Sequence, residues 1–142
     1  MFPPFANESL TDFGASLNAA AYREALAQAR RQLGRHRPLI IAGEPVDTDQ
    51  RIVSRNPASP AEIVGTAAAA APVHVDRALA AAWQAFPSWA RRRVEDRAAL
   101  LVRLAAQLRR RKLALAAWIT LEAAKNWSEA EEIGRASCRE RV

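Results

Sequence analysis

The chain has 142 residues, with 21 Lys and Arg against 15 Asp and Glu for a formal charge of +6. That is the length of one ordinary domain. The basic excess is gathered in Arg91 to Arg93, Arg109 to Lys112 and the extreme C-terminus, so no charged tail dictates a partner. A single cysteine, Cys138, rules out an internal disulfide and fits a reducing compartment. The opening Met-Phe-Pro-Pro-Phe-Ala-Asn-Glu has neither the basic start nor the apolar run of a secretory signal, and no apolar run of about 18 residues forms a transmembrane span. A cytoplasmic protein with no membrane span is expected.

Residues 1–17 read as an extended arm, because Phe2, Phe5, Leu10 and Phe13 are irregularly spaced among Pro3, Pro4 and Gly14. Asn18 offers a helix cap, after which Tyr22, Leu26, Ala29 and Leu33 form a stripe that stops at Gly34. Leu39 to Ile41 favour a strand, Ala42-Gly43 turns it, and Val46 begins a return strand that Pro45 marks as an edge. A second pair is expected at Ile52-Val53 and Ile63 to Thr66, around the turn-rich Asn56-Pro57-Ala58-Ser59-Pro60. These short strands predict a small antiparallel sheet with open edges.

The alanine run 67–71 ends at Pro72, and a helix is predicted from Val73 to Asp76 onward, with Val75, Leu79, Trp83 and Phe86 on one face. Pro87 is expected to bend or end it, and Trp83, Phe86 and Trp89 read as core. From Glu95 to Ala124 there is no glycine or proline, and Leu101, Leu104 or Ala105, Leu108, Leu115 and Trp118 or Ile119 recur at helical steps. One helix of roughly 45 Å follows at about 1.5 Å per residue. Such a rod needs a large apolar partner, of which the first 94 residues supply little. Ser128-Glu129-Ala130-Glu131 has capping-box spacing and predicts another helix.

Candidate chemistry is sparse. His36 and His74 have no cysteine or second histidine at ligand spacing, which argues against a metal site, and Cys138 lacks a nearby base. Glu8, Glu44, Glu62, Glu122 and Glu129 form no pair that the sequence places at catalytic separation. No glycine-rich phosphate loop occurs. Arg109 to Lys112 point around the whole helix without interleaved aromatics, so a solvated collar is expected there instead of a nucleic-acid face. The residues thus name no catalytic, cofactor-binding or metal-binding position. A small interaction or assembly module using the strand edges and long helix stands as the reading from another class.

Several stretches, in order, resemble the N-terminal portion of the delta-1-pyrroline-5-carboxylate dehydrogenases, also called L-glutamate gamma-semialdehyde dehydrogenases, a branch of the aldehyde dehydrogenase superfamily. They are Phe5-Ala6-Asn7-Glu8 with Thr11-Asp12-Phe13, the run from Leu33 to Glu44, Ile52 to Ala58, Glu62 to Gly65, Ala81 to Trp89, Leu108 to Lys112, and Leu121 to Ala130. In the last, relatives carry glycine where this chain has Ala124. The resemblance covers residues 2–131. It implies an α/β fold: the leading part of an NAD-binding domain, mostly helices with short antiparallel hairpins, its Rossmann core lying in later sequence. It implies a homo-oligomeric parent that oxidises L-glutamate 5-semialdehyde with NAD in proline breakdown, with an aldehyde dehydrogenase of other substrate specificity as the alternative because the pocket lies in later sequence, and a chain that holds neither the catalytic cysteine nor the NAD-contacting motifs. The family's catalytic cysteine does not correspond to Cys138. Nucleic acid is not an expected partner. Residues 132–142 resemble the translation of a sequencing-adapter oligonucleotide, so a natural segment 1–131 followed by a non-native tail is expected. Without residues 133–142, three arginines and one glutamate disappear and the charge falls from +6 to +4.

Overall fold

The computed structural model describes residues 9–136, so the expectations for Phe2, Phe5, Glu8 and Cys138 lie outside the described residues. The elements run α1 (Ser16–Arg30), β1 (Arg35–Arg37), β2 (Leu39–Ile41), β3 (Glu44–Val46), β4 (Arg51–Asn56), β5 (Ser59–Ala68), α2 (Pro72–Ala90), α3 (Val94–Arg110), α4 (Lys112–Ala123) and α5 (Trp127–Ala136). Two compact units divide them. One holds the described residues up to Gln32 with those from Leu104 onward, and the other spans Leu33–Arg103.

In the first unit, α4 packs against α1 and α5. Ala116, Ala117 and Leu121 are the buried residues of α4, and Tyr22 and Ala130 from the neighbouring helices form a core with Ala116. Small residues on α4 let the helices approach closely, which leaves room for the large Tyr22 ring. The cap of α1 differs from expectation: Ala15 occupies the cap position, and the Asn18 amide donates instead to the Asp12 carbonyl at 2.9 Å. The cap of α5 also moves. The Asn126 Oδ1 accepts from the Glu129 amide at 3.0 Å and the Glu129 carboxylate accepts from the Asn126 amide at 3.3 Å, two residues upstream of the predicted box. Asparagine caps as well as serine does, and this choice frees Glu131 to point inward.

In the second unit, β4 and β5 form the expected hairpin, with Val53 opposite Thr66. Asn56, 4% exposed, closes its turn by accepting from the Ala58 amide at 3.0 Å and donating to Glu62 at 2.6 Å. The sheet is not purely antiparallel, because β1 pairs parallel to β5 with Arg35 opposite Gly65, giving the order β1-β5-β4. The polar sequence Arg-His-Arg hides that strand. Gly65 permits the pairing, since a Cβ there would lie 3.0 Å from the Arg35 carbonyl oxygen. Separately, β2 and β3 pair antiparallel, turned by Ala42 and Gly43 with φ of 56° and 87°. Two positive φ values in sequence make the turn that matches strand twist.

The helices depart from expectation in three ways. First, Pro87 does not end α2, which continues to Ala90. A proline in the last turn removes a single hydrogen bond close to the helix end, where the carbonyls are already losing their partners. Second, the long rod is two helices. Arg111, with φ −102° and ψ 12°, separates α3 from α4, and its amide is shared between the Gln107 and Leu108 carbonyls, both at 3.1 Å. The break falls where packing begins: α4 is held by a buried side and α3 has no buried residue, so the two segments follow different constraints. Third, Trp83, Phe86 and Trp89 are not core residues within this chain, being 70%, 53% and 41% exposed. Nothing in the second unit is broad enough to cover them.

Candidate functional site

The densest arrangement of polar and aromatic groups lies in the first unit, where the N-terminal segment meets α4 and α5. Glu131 is 4% exposed. Its carboxylate accepts from the Thr11 amide at 3.1 and 3.0 Å and from the Thr11 hydroxyl at 2.8 Å, and it pairs with the Lys112 ammonium. Burial alone would raise this carboxyl, but the Lys112 and Thr11 hydrogen bonds and the Lys112 charge outweigh it and hold the pKa below the ordinary glutamate value. An ionised carboxylate with its lone pairs already occupied is a clamp and not a general base.

Beside the clamp, Phe13, Tyr22 and Trp127 pack edge-on and tilted, with ring centroids 4.8 to 5.8 Å apart. The Tyr22 hydroxyl lies 2.8 Å from the Thr120 hydroxyl. Burial pushes the phenol above its usual value, partly offset by that bond. Arg23 lies over the Trp127 ring at 5.6 Å. Next to these groups, Phe13, Thr120, Ala124 to Ser128 line an open, shallow depression. Ala124 is left-handed there, with φ 52°. No nucleophile with an adjacent base lines it.

A second polar group lies in the other unit. The His36 ring links Thr66 through Nδ1 at 3.0 Å and Asp47 through Nε2 at 2.9 Å, and Arg51 stands 3.6 Å from Asp47. The Thr48 amide first, and then His36, hold Asp47 below its ordinary pKa. An ionised Asp47 can only accept, so the His36 Nε2–H is the donor in that contact. The relay pins β1 to β5.

The remaining sequence candidates scatter. The His74 ring accepts from the Ala71 amide at 2.9 Å at the start of α2. Glu44 and Glu122 are exposed, Glu62 serves the Asn56 turn, and Glu129 caps α5. Lys112 corrects the expected solvated collar, since it is tied to Glu131 within the chain while Arg109 to Arg111 remain exposed. Glu131 is not among the residues the sequence singles out as candidate chemistry: there it is only the last position of a capping-box spacing, and no periodicity links it to Thr11, 120 positions away.

Among the described residues, the starts of α2, α3 and α5 do not fit a dinucleotide. A pyrophosphate needs free amides at a helix start or in a glycine-rich turn. The start of α5 is closed by Asn126 and Glu129, that of α2 by Pro72 and His74, and that of α3 carries Glu95 and Asp96. The left-handed glycines are likewise committed: Gly34 leads into β1 with its amide donating to the Val64 carbonyl at 3.1 Å, and Gly43 serves the β2–β3 turn.

Residues 45–139 match the family described as the aldehyde dehydrogenase family. The chain is 45% identical over 127 residues to the 1-pyrroline-5-carboxylate dehydrogenase of Bacillus subtilis, an overlap of 89% of this chain and 25% of that protein. Among solved structures it is similar to the 1-pyrroline-5-carboxylate dehydrogenase from Thermus with bound NAD, at TM-score 0.92 and 46% identity over 94% of this chain and 26% of that one. It is also similar to proline utilization A from Bdellovibrio bacteriovorus, at TM-score 0.90 and 30% identity over 93% of this chain and 14% of that one. The chain therefore spans about a quarter of the length of the dehydrogenases it matches.

Proposed function

The chain belongs to the aldehyde dehydrogenase family, and from that premise we propose that it is the leading segment of an NAD-dependent enzyme that oxidises L-glutamate 5-semialdehyde to L-glutamate in proline breakdown. The observation that carries this reading is the 45% identity to a 1-pyrroline-5-carboxylate dehydrogenase across nearly the whole chain. In such an enzyme NAD accepts the hydride, and the residues of this segment frame the body that holds it. The Glu131 clamp fastens the N-terminal segment to α4 and α5, and the His36 relay fastens β1 to β5. Neither offers a free nucleophile, so the thiol, the oxyanion donors and the dinucleotide cradle belong to sequence outside these residues. Homo-oligomerisation and a cytoplasmic location are part of the same proposal, the latter supported by one cysteine in 142 residues. Among the described residues no helix is long and apolar enough to cross a membrane.

The division into 1–131 and a non-native tail 132–142 is likewise proposed. Sequencing the genomic DNA across codon 132 tests it, and the same tail in an uninterrupted frame from an independent isolate would refute it. For the function, the purified 142-residue chain is incubated with NAD and L-glutamate 5-semialdehyde. No NADH is expected. Turnover that survives removal of contaminating enzyme would overturn the assignment of the chemistry to other sequence.

A further inference from the structure

The segment that precedes α1 is fastened at few points. Residues 9–15 have neither helical nor strand backbone, and only Thr11 and Phe13 turn inward, with Leu10, Asp12 and Gly14 exposed between and beside them. The Phe13 ring seats against Tyr22 and Trp127. Asp12 serves the approach to α1, accepting from the Gly14 and Ala15 amides and from the Asn18 side chain. Among the described residues, the hydrogen bonds that carry the segment across to α5 all end on one carboxylate, that of Glu131. The same carboxylate meets the Lys112 ammonium, the two side chains being 3% and 28% exposed.

We propose that residues 10–14 form a strap that protonation of Glu131 releases, while α1, α4 and α5 stay packed. Bonds to an ionised acceptor are about twice as strong as bonds between neutral groups. Protonation turns one Glu131 oxygen into a donor, set against the N–H and O–H donors of Thr11, and leaves the Lys112 ammonium without its counter-charge. Lys112 from α4 and the Tyr22 phenol from α1 are the titratable groups that face Glu131. An ammonium and a phenol carry their protons throughout acid, so Glu131 is the group that changes there. Burial works against the charged carboxyl, but the Lys112 and Thr11 bonds outweigh it and keep it ionised to below the ordinary glutamate value. The strap is therefore docked at neutral pH and freed in acid. The three helices close on Tyr22, Ala116 and Ala130, contacts that involve no carboxylate. Release withdraws Phe13 from Tyr22 and Trp127 and removes one wall of the depression it shares with Thr120 and Lys125.

The test is an acid titration of the dilute 142-residue chain by NMR, following the Glu131 carboxyl carbon, the Thr11 amide, the Phe13 ring and the contact between Tyr22 and Ala116. The expected result is that the Thr11 and Phe13 signals move to solvent-exposed positions with the same midpoint as the Glu131 carboxyl, while the Tyr22 to Ala116 contact and the helical circular dichroism persist. Lys112→Met leaves the carboxylate without its counter-charge and moves that midpoint up by about one pH unit or more. Glu131→Gln removes the step, and Asp12→Asn, which alters the carboxylate of the strap itself, leaves it in place. Thr11 and Phe13 signals that stay fixed while Glu131 titrates would overturn the proposal. Loss of the Tyr22 to Ala116 contact in the same step would also overturn it, since the event is then unfolding of the whole unit. A step that persists in Glu131→Gln, or that Asp12→Asn abolishes, would assign the release to another carboxyl and so contradict it.

Discussion

Glu131 shows how much one side chain can organise when the charge it carries is buried and answered. Glu131→Gln keeps the shape but weakens the bonds to Lys112 and Thr11, and the expected cost is about 1–3 kcal/mol in a urea or thermal melt. The sign of the pH effect follows from the lowered pKa. The stabilisation is complete above the unfolded value of 4.5 and is lost as pH falls through the lower folded value, so the unfolding midpoint of the parent chain drops in acid and that of Glu131→Gln lacks that component. Ala124 carries the opposite kind of prediction. It holds a left-handed conformation at φ 52°, which costs an L-residue roughly 1–2 kcal/mol relative to what glycine needs, so Ala124→Gly is expected to raise the melting temperature. The resemblance at Leu121 to Ala130 pointed to glycine at that position, and the backbone supplies the reason. Glu131 was beyond sequence reading for a physical cause: its partners come from a segment 120 residues away and from another helix.

The individual elements divide between those whose stabilising contacts are local and those whose contacts are distant. The β2–β3 and β4–β5 hairpins were legible because their turns, Ala42-Gly43 and Asn56-Pro57, carry their own backbone chemistry. Strand β1 was not, because Arg35-His36-Arg37 has no strand composition and is held by a parallel neighbour and by the His36 contacts to Thr66 and Asp47. Gly65→Ala tests this pairing directly. The added methyl would meet the Arg35 carbonyl at 3.0 Å, and a loss of about 1–3 kcal/mol is expected, read as faster amide exchange in β1 and β5 with the Tyr22 environment unchanged. The rod from Glu95 to Ala124 was read as one helix because its composition is uniform. It is divided at Arg111, where the packed half begins, a boundary set by α1 and α5 and invisible in the rod's own residues.

At the scale of the whole chain, the distribution of burial is the finding that matters. The first unit closes around Tyr22, Ala116 and Ala130, whereas α2 and α3 contribute no buried residue and leave Trp83, Leu101, Leu104 and their neighbours in water. The aromatics of α2 look like core in the sequence because apolar periodicity reports that a surface is covered, without reporting what covers it. Burying a large apolar side chain is worth about 1.5–3 kcal/mol, so a series of uncovered ones makes the isolated chain prone to self-association and poor solubility. Hydroxyl-radical footprinting of the dilute 142-residue chain measures this most directly. The account predicts that Leu79, Trp83 and Leu101 are labelled as strongly as in the urea-unfolded chain while Tyr22 and Leu121 are protected, and protection of all five alike would contradict it.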